Sequence, residues 1–286
     1  MTWLSDDAVA RLREITDIPD LGGTRYRALR ELGRGGMGVV YEAEDLALDR
    51  RVALKVTNIT STDVEDLRTE ARIIARLEHS GIVPIHDVGV LVDGRVFYSM
   101  QLVKGSRLDA WAQAAHVLSE RLRLFARICE PVAFAHANGV VHRDLKPENV
   151  MIGELGEVLV MDWGVAGVGT PGYMAPEQER GEDARPATDV YALGKLLAFL
   201  TRNDTAPRRV RAIIDRATCA DPDLRYADAR ELGRDALSFL DHGPVSAYHE
   251  SIFDRAERFL SLHRVLISLV AAYIVMRVIV FFWMRL

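Results

Sequence analysis

The chain has 286 residues, 49% of them hydrophobic, which is enough to bury a large core in one two-lobed unit or two small domains and too apolar for a disordered tail. Its 36 Lys and Arg against 41 Asp and Glu leave a net charge near -5, which repels a phosphate backbone, so no nucleic-acid partner is expected. Cys129 and Cys219 stand far apart without companions at metal-ligand spacing, which points away from a disulfide framework or a zinc site and toward a reducing compartment.

The opening residues Met1 to Asp7 have neither the basic start nor the apolar run of a secretory signal, so the N-terminus is expected to stay in the cytoplasm. Ser5 to Ile15 reads as a short amphipathic helix, capped by Ser5, acidic in its first turn and followed by Pro19. From Tyr26 to Gln101 the pattern is mostly β, with β-branched and aromatic runs around Leu29, Val39 to Tyr41, Val52 to Val56, Val83 to Ile85 and Val96 to Tyr98. One helix interrupts it: Asp63 to Leu77 places Leu67, Ala71, Ile74 and Leu77 at helical spacing, and Gly81 follows.

From Leu108 onward the pattern turns helical. Its clearest member is Ser119 to Asn138, where Leu122, Phe125, Cys129, Val132 and His136 recur every three or four residues before Gly139. Pro131 inside it should kink the helix at a cost of about 3 kcal/mol unless packing compensates. A small β lobe thus precedes a helical lobe, an α+β arrangement.

The last segment, Val265 to Met284, is a 20-residue run in which Ser268 and Arg277 are the only clearly polar members. As a helix at about 1.5 Å per residue it matches the roughly 30 Å hydrocarbon core of a bilayer. The alternative is an amphipathic helix capping the globular part, favoured by the roughly 2.5 to 3.5 kcal/mol that a central arginine costs in a membrane. Arg277 lies in the second half of the run, where its stem can snorkel to the interface, so a span is the expectation. Arg255, Arg258 and Arg264 before it place the preceding residues on the cytoplasmic side.

Three motifs carry chemistry. Gly33, Arg34, Gly35, Gly36, Met37 and Gly38 join two predicted strands, and a loop with so little side chain can fold over phosphates and offer its N–H groups. A ligand-free hairpin would look the same, but a dinucleotide fold would need a helix next, and Val39 to Tyr41 continue as a strand. Lys55 follows on an apolar strand with Glu70 on the next helix; such a pair is either a solvated surface contact or an ion pair aiming an ammonium at phosphates. The third is the run His142, Arg143, Asp144, Leu145, Lys146, Pro147, Glu148, Asn149, with a second acidic turn at Asp162, Trp163 and Gly164.

With these motifs in this order, the chain from about Tyr26 to Leu240 resembles the protein kinase superfamily, most closely the bacterial serine/threonine kinases of eukaryotic type. The resemblance implies a two-lobed fold with a shortened activation segment, a β-rich lobe over 25–103 and a helical lobe over 104–242; outside it lie an N-terminal extension over 1–24, a juxtamembrane segment over 243–261 and, read from the apolar run, a transmembrane helix over 262–286. It implies ATP and Mg2+ as cofactors and Ser or Thr of other proteins as acceptors. Asp144 would orient the acceptor hydroxyl, Lys146 would neutralise the γ-phosphate, and Asn149 and Asp162 would hold magnesium. Leu32 and the glycine loop, Lys55 and Glu70 would hold the phosphates. Val40, Ala53 and Met151 would sandwich adenine, Met100 would guard the back of its pocket, and Gln101 to Val103 would supply backbone hydrogen bonds. Lys146 with Thr170 before Pro171 matches the serine/threonine branch. Ala175 to Gln178, with Arg225 facing Glu177, resembles the anchor after the activation segment, and Asp189 resembles the residue that holds the catalytic loop from below.

The chain also departs from the family. Trp163 replaces the usual phenylalanine, and only Val165 to Met174 separate Gly164 from Ala175, with Thr170 and Tyr173 the only hydroxyls there. The stretch from Thr201 to Pro207 is too short for the usual substrate-docking helix. These departures keep a second function open, an ATP-binding pseudokinase scaffold at the membrane, although Lys55, Asp144, Asn149 and Asp162 are all present. They also leave open that disordered or deleted stretches are missing from the chain as written. The expected partners are protein substrates and the lipid bilayer through Val265 to Met284, a setting that leaves room for self-association. The expected location is the membrane, with a single C-terminal span and the kinase domain cytoplasmic.

Overall fold

The computed structural model describes residues 19–35, 38–58, 72–163, 169–201, 206–250 and 264–283. Five strands form the first layer: β1 (Tyr26–Gly35), β2 (Gly38–Asp45), β3 (Arg50–Thr57), β4 (Ile85–Val90) and β5 (Val96–Gln101), in the antiparallel order β1-β2-β3-β5-β4. Side chains alternate across a strand, so β3 serves two faces. Val52, Leu54 and Val56 join Val39, Tyr41, Ala43 and Phe97 in one core. Ala53 turns the other way, with Tyr98, Met100 and Leu159, toward the second lobe. That second face roofs a cleft.

The helical lobe begins with β6 (Gly105–Arg107) and α1 (Leu108–Trp111), then α2 (Leu118–Ala137). Strands β7 (Val150–Gly153) and β8 (Val158–Val160) complete a three-stranded sheet with β6 and form the floor of the cleft. Helices α3 (Pro176–Glu179), α4 (Pro186–Thr201), α5 (Arg208–Ala217) and α6 (Ala229–Leu240) follow. Leu122, Phe125, Ile128 and Val132 of α2 meet Leu193, Leu196, Leu197 and Leu200 of α4 in one core, all fully buried. Helix α6 lies close on α2, and an added Cβ on Gly233 would sit 3.0 Å from that of Cys129. Burial pushes the Cys129 thiol up, so it is a packing group here.

Pro131 has a packing partner that local rules do not foresee. A Cβ on Gly81 would lie 3.0 Å from its ring, so the 79–81 turn rests directly on the proline. The same turn is tied to β8 by Val160 N–H to Gly81 O (2.8 Å) and Val83 N–H to Val160 O (3.2 Å). The proline thus supports the junction of the two lobes.

The helix expected over Asp63 to Leu77 lies mostly outside the described residues, which show helix only at 72–74, and Ser5 to Ile15 lies wholly outside them. Between α4 and α5 only residues 202–207 intervene, and 202–205 lie outside the described residues. The C-terminal run forms α7 (Arg264–Trp283), with Leu269, Ile274, Val275, Met276 and Ile279 all more than half exposed. Among the described residues no helix is long and apolar enough to cross a membrane, so the expected span is not shown.

Candidate functional site

A cavity of about 880 Å3 separates the lobes. Leu32, Gly33, Arg34, Gly35, Gly38 and Val40 line its upper lip, and Ala53, Lys55, Met100, Gln101 and Val103 its back and edge. Asp144, Lys146, Asn149, Met151, Asp162 and Thr170 line its floor. The structure therefore brings together every sequence-predicted site residue that it describes; Gly36, Met37 and Glu70 lie outside the described residues.

The glycines of the lip are not equivalent. Gly38 has φ +144°, and a Cβ there would stand 2.1 Å from Val56 O, so the β2–β3 approach demands glycine. A Cβ on Gly33 or Gly35 would meet nothing within 4 Å. Protein packing does not explain those two, whereas a ligand passing close to the backbone would.

The floor is built from α4 upward. Asp189, buried in its first turn, accepts from His142 N–H (2.7 Å), Arg143 N–H (2.9 Å) and His136 Nε2–H (2.8 Å). Arg143 has φ +70°, a left-handed conformation that costs about 1–3 kcal/mol in a non-glycine residue. Two hydrogen bonds to one carboxylate, each worth about 1.5–3 kcal/mol, offset that cost. Gln178 Nε2–H donates to Arg143 O (2.9 Å) and fixes the same residue from the other side.

His142 is fully buried, and burial lowers its pKa despite nearby carboxylates, so the ring is neutral. Its Nε2–H donates to Met161 O (3.0 Å), leaving Nδ1 to accept from Asp144 N–H (3.3 Å). Asp144 is thereby aimed into the cavity. Its Oδ1 accepts from Thr170 Oγ1–H (2.6 Å), and Lys146 Nζ reaches both Thr170 Oγ1 (2.7 Å) and Asp144 Oδ2 (2.8 Å). Asn149 Nδ2–H donates to Asp144 O (2.8 Å) and Oδ2 (3.3 Å).

Asp162 also has a left-handed backbone, φ +59°. Its Oδ1 accepts from Lys55 Nζ at 2.7 Å. The neighbouring Trp163 is 2% exposed, donates Nε1–H to Val160 O (3.1 Å) and packs 4.7 Å from the His142 ring. The described partner of Lys55 is thus Asp162, and Glu70 stays outside the description.

The donor set fits magnesium. Asn149 spends Nδ2 in its bonds and keeps Oδ1, while Asp162 spends Oδ1 and keeps Oδ2, giving two hard oxygen donors on one wall. Among the described residues no group of three or more His, Cys, Asp and Glu could hold a metal alone. An ion that takes its other oxygens from phosphates and water needs no more than this.

Behind the floor, Glu177 and Arg225 form a buried bidentate pair at 2.7 and 2.8 Å, and Thr188 Oγ1–H adds a third bond to Glu177. Burial alone would raise the Glu177 pKa, but the bonds and charge of Arg225, together with a backbone N–H and the Thr188 hydroxyl, outweigh it and hold the carboxyl below its ordinary range. Sequence reasoning missed Tyr98, which is 4% exposed and donates Oη–H to Asp162 Oδ1 (3.3 Å). It stands two residues before Met100 on the same face of one strand, a place where a tyrosine reads from sequence as core.

Comparison with known proteins agrees with this geometry. The family model described as "Protein kinase domain" matches residues 26–242. Serine/threonine-protein kinase PknD of Chlamydia felis is 32% identical over 294 residues, covering 77% of this chain and 31% of PknD. Serine/threonine-protein kinase PrkC of Bacillus subtilis is 32% identical over 264 residues, covering 76% of this chain and 41% of PrkC. The chain thus spans less than half the length of these curated relatives. The crystal structure of the Mycobacterium tuberculosis PknI kinase domain superposes with a TM-score of 0.66 at 26% identity, covering 76% of this chain and 96% of that one.

Proposed function

This chain belongs to the protein kinase family, of the bacterial serine/threonine type, and from that membership we propose that its cleft moves the γ-phosphoryl group of ATP onto Ser or Thr of other proteins. The observation that carries the proposal is the closed set of Asp144, Lys146 and Thr170, with contacts of 2.6–2.8 Å, on the same cavity as Lys55 and Asp162.

Phosphoryl transfer spreads charge over oxygens between the attacking and leaving groups, so positioning and electrostatics do most of the work. Asp144 orients the acceptor hydroxyl and takes its proton. Lys146 places a positive charge on the transferring group. Lys55 binds the phosphates nearer the leaving side, and Asn149 Oδ1 with Asp162 Oδ2 would hold magnesium, which would supply neutralisation of the phosphate charge. Val40, Ala53 and Met151 enclose the base, with Met100 behind it, and Gln101 to Val103 pass along its edge.

The lower wall is assembled without a phosphate. Thr170 already uses its hydroxyl on Asp144, and Val165 to Gly169 contain nothing to phosphorylate. Activity is therefore independent of loop phosphorylation. The exposed apolar side chains of α7 support a further reading, that this helix tethers the kinase to a bilayer. Removal of everything after Ser261 should release a soluble, active kinase; loss of folding would make α7 a structural cap.

The test of function is transfer of labelled phosphate from ATP to a generic basic protein. The parent should label it, and Asp144→Asn should lose turnover by about three orders of magnitude while binding nucleotide almost as before. Equal labelling by both would remove the assignment.

A further inference from the structure

None of these roles uses Tyr98. In the pairing of β3 with β5, Lys55 and Tyr98 are Cα partners, so their side chains leave the same face of the sheet next to each other. The Lys55 ammonium lies 5.7 Å from the tyrosine ring centroid, and both side chains end on Asp162 Oδ1, at 2.7 and 3.3 Å.

Packing does not require a hydroxyl here. Tyr98 belongs to a cluster with Ala53, Val83, Met100 and Leu159, which an apolar side chain of similar size would complete equally well. A buried phenol is costly unless its hydroxyl is hydrogen-bonded, and Asp162 is one partner that this hydroxyl has. Asp162 is a carboxylate on a left-handed backbone, followed directly by Trp163, whose indole N–H is bonded to Val160 O.

We propose that Tyr98 is a positioning residue for the metal-binding carboxylate. With Lys55 it holds Oδ1 of Asp162 against the β sheet, and this turns Oδ2 toward the metal. The proposal rests on reading Asp162 as a magnesium residue. It assigns Tyr98 to metal affinity rather than to the chemical step.

The test is a Mn2+ titration of the full chain in detergent with ADP present, read by electron paramagnetic resonance of free Mn2+. Tyr98→Phe keeps the ring and loses only Oη, and should weaken Mn2+ binding about three- to tenfold with an unchanged melting temperature. Phosphotransfer at saturating magnesium should return to within about twofold of the parent, a rescue that general loosening of the lobe would not allow. Tyr98→Met, which also lacks the hydroxyl, should show the same weakening. Parent-like Mn2+ binding by both variants would overturn the role of Tyr98 provided that Asp162→Asn abolishes binding. If Asp162→Asn also binds Mn2+ like the parent, the magnesium assignment itself falls, and the inference with it.

Discussion

The two walls of the cleft are built differently. The floor is braced from behind: Asp189 holds the backbone of His142 and Arg143, His142 positions Asp144, and the buried Glu177–Arg225 pair backs the segment that carries Thr170. The lip is open: Leu32, Gly33, Arg34 and Gly35 are exposed, and added Cβ atoms on Gly33 or Gly35 would meet nothing. A wall that must orient a proton acceptor is fixed before substrate arrives, because misplacement costs rate. A wall that only covers phosphates can take its shape from them.

Breaking the brace should therefore damage the fold, whereas crowding the lip should damage only binding. The largest effect is expected for Arg225→Ala, which leaves the Glu177 carboxylate buried and unpaired at a cost of about 3–5 kcal/mol. At roughly 2–4 °C per kcal/mol for a domain of this size, calorimetry should show a melting temperature lower by about 10 °C. A shift below about 2 °C would mean that the pair does not brace the floor.

Protonation probes the same wall more gently. His142 has a folded pKa below its unfolded value of about 6.5, so the folded protein binds fewer protons and its stability is fully present only above that value. As pH falls below about 6.5 this contribution is lost, at up to about 1.4 kcal/mol per pH unit. Urea midpoints from pH 7.5 to 5.5 should decline more in the parent than in His142→Phe. Parallel curves would show that the ring titrates alike in both states.

The smallest effect on the fold is expected at the lip. Gly35→Ala should change stability by less than about 0.5 kcal/mol while weakening ATP several-fold in a calorimetric titration. A marked loss of stability with unchanged ATP affinity would reverse the contrast between the walls.

This contrast also governs what the sequence could reveal. The floor was legible because its chemistry needs particular residue types at fixed spacing, so Asp144, Lys146, Asn149 and Asp162 stand out as letters, and Asp189 and Arg225 follow from the family resemblance. Tyr98 was not legible, since a tyrosine in the run Val96 to Tyr98 reads as core, and only the register that sets it against Lys55 reveals a polar partner. Pro131 was read through its local cost, while its compensation comes from Gly81, fifty residues away in sequence. Glycine letters look alike, but a neighbouring strand demands Gly38 and makes no such demand on Gly33 or Gly35.

The central claim is that the floor is complete without phosphorylation, because Thr170 Oγ1–H already bonds Asp144 at 2.6 Å and receives Lys146 at 2.7 Å. A phosphate on that oxygen would remove the donated hydrogen and set negative charge against Asp144. The direct measurement is the rate of phosphotransfer before and after exhaustive phosphatase treatment, with the phosphorylation state followed by mass spectrometry. An unchanged rate is predicted; a large loss that tracks removal of phosphate from Thr170 or Tyr173 would contradict the account.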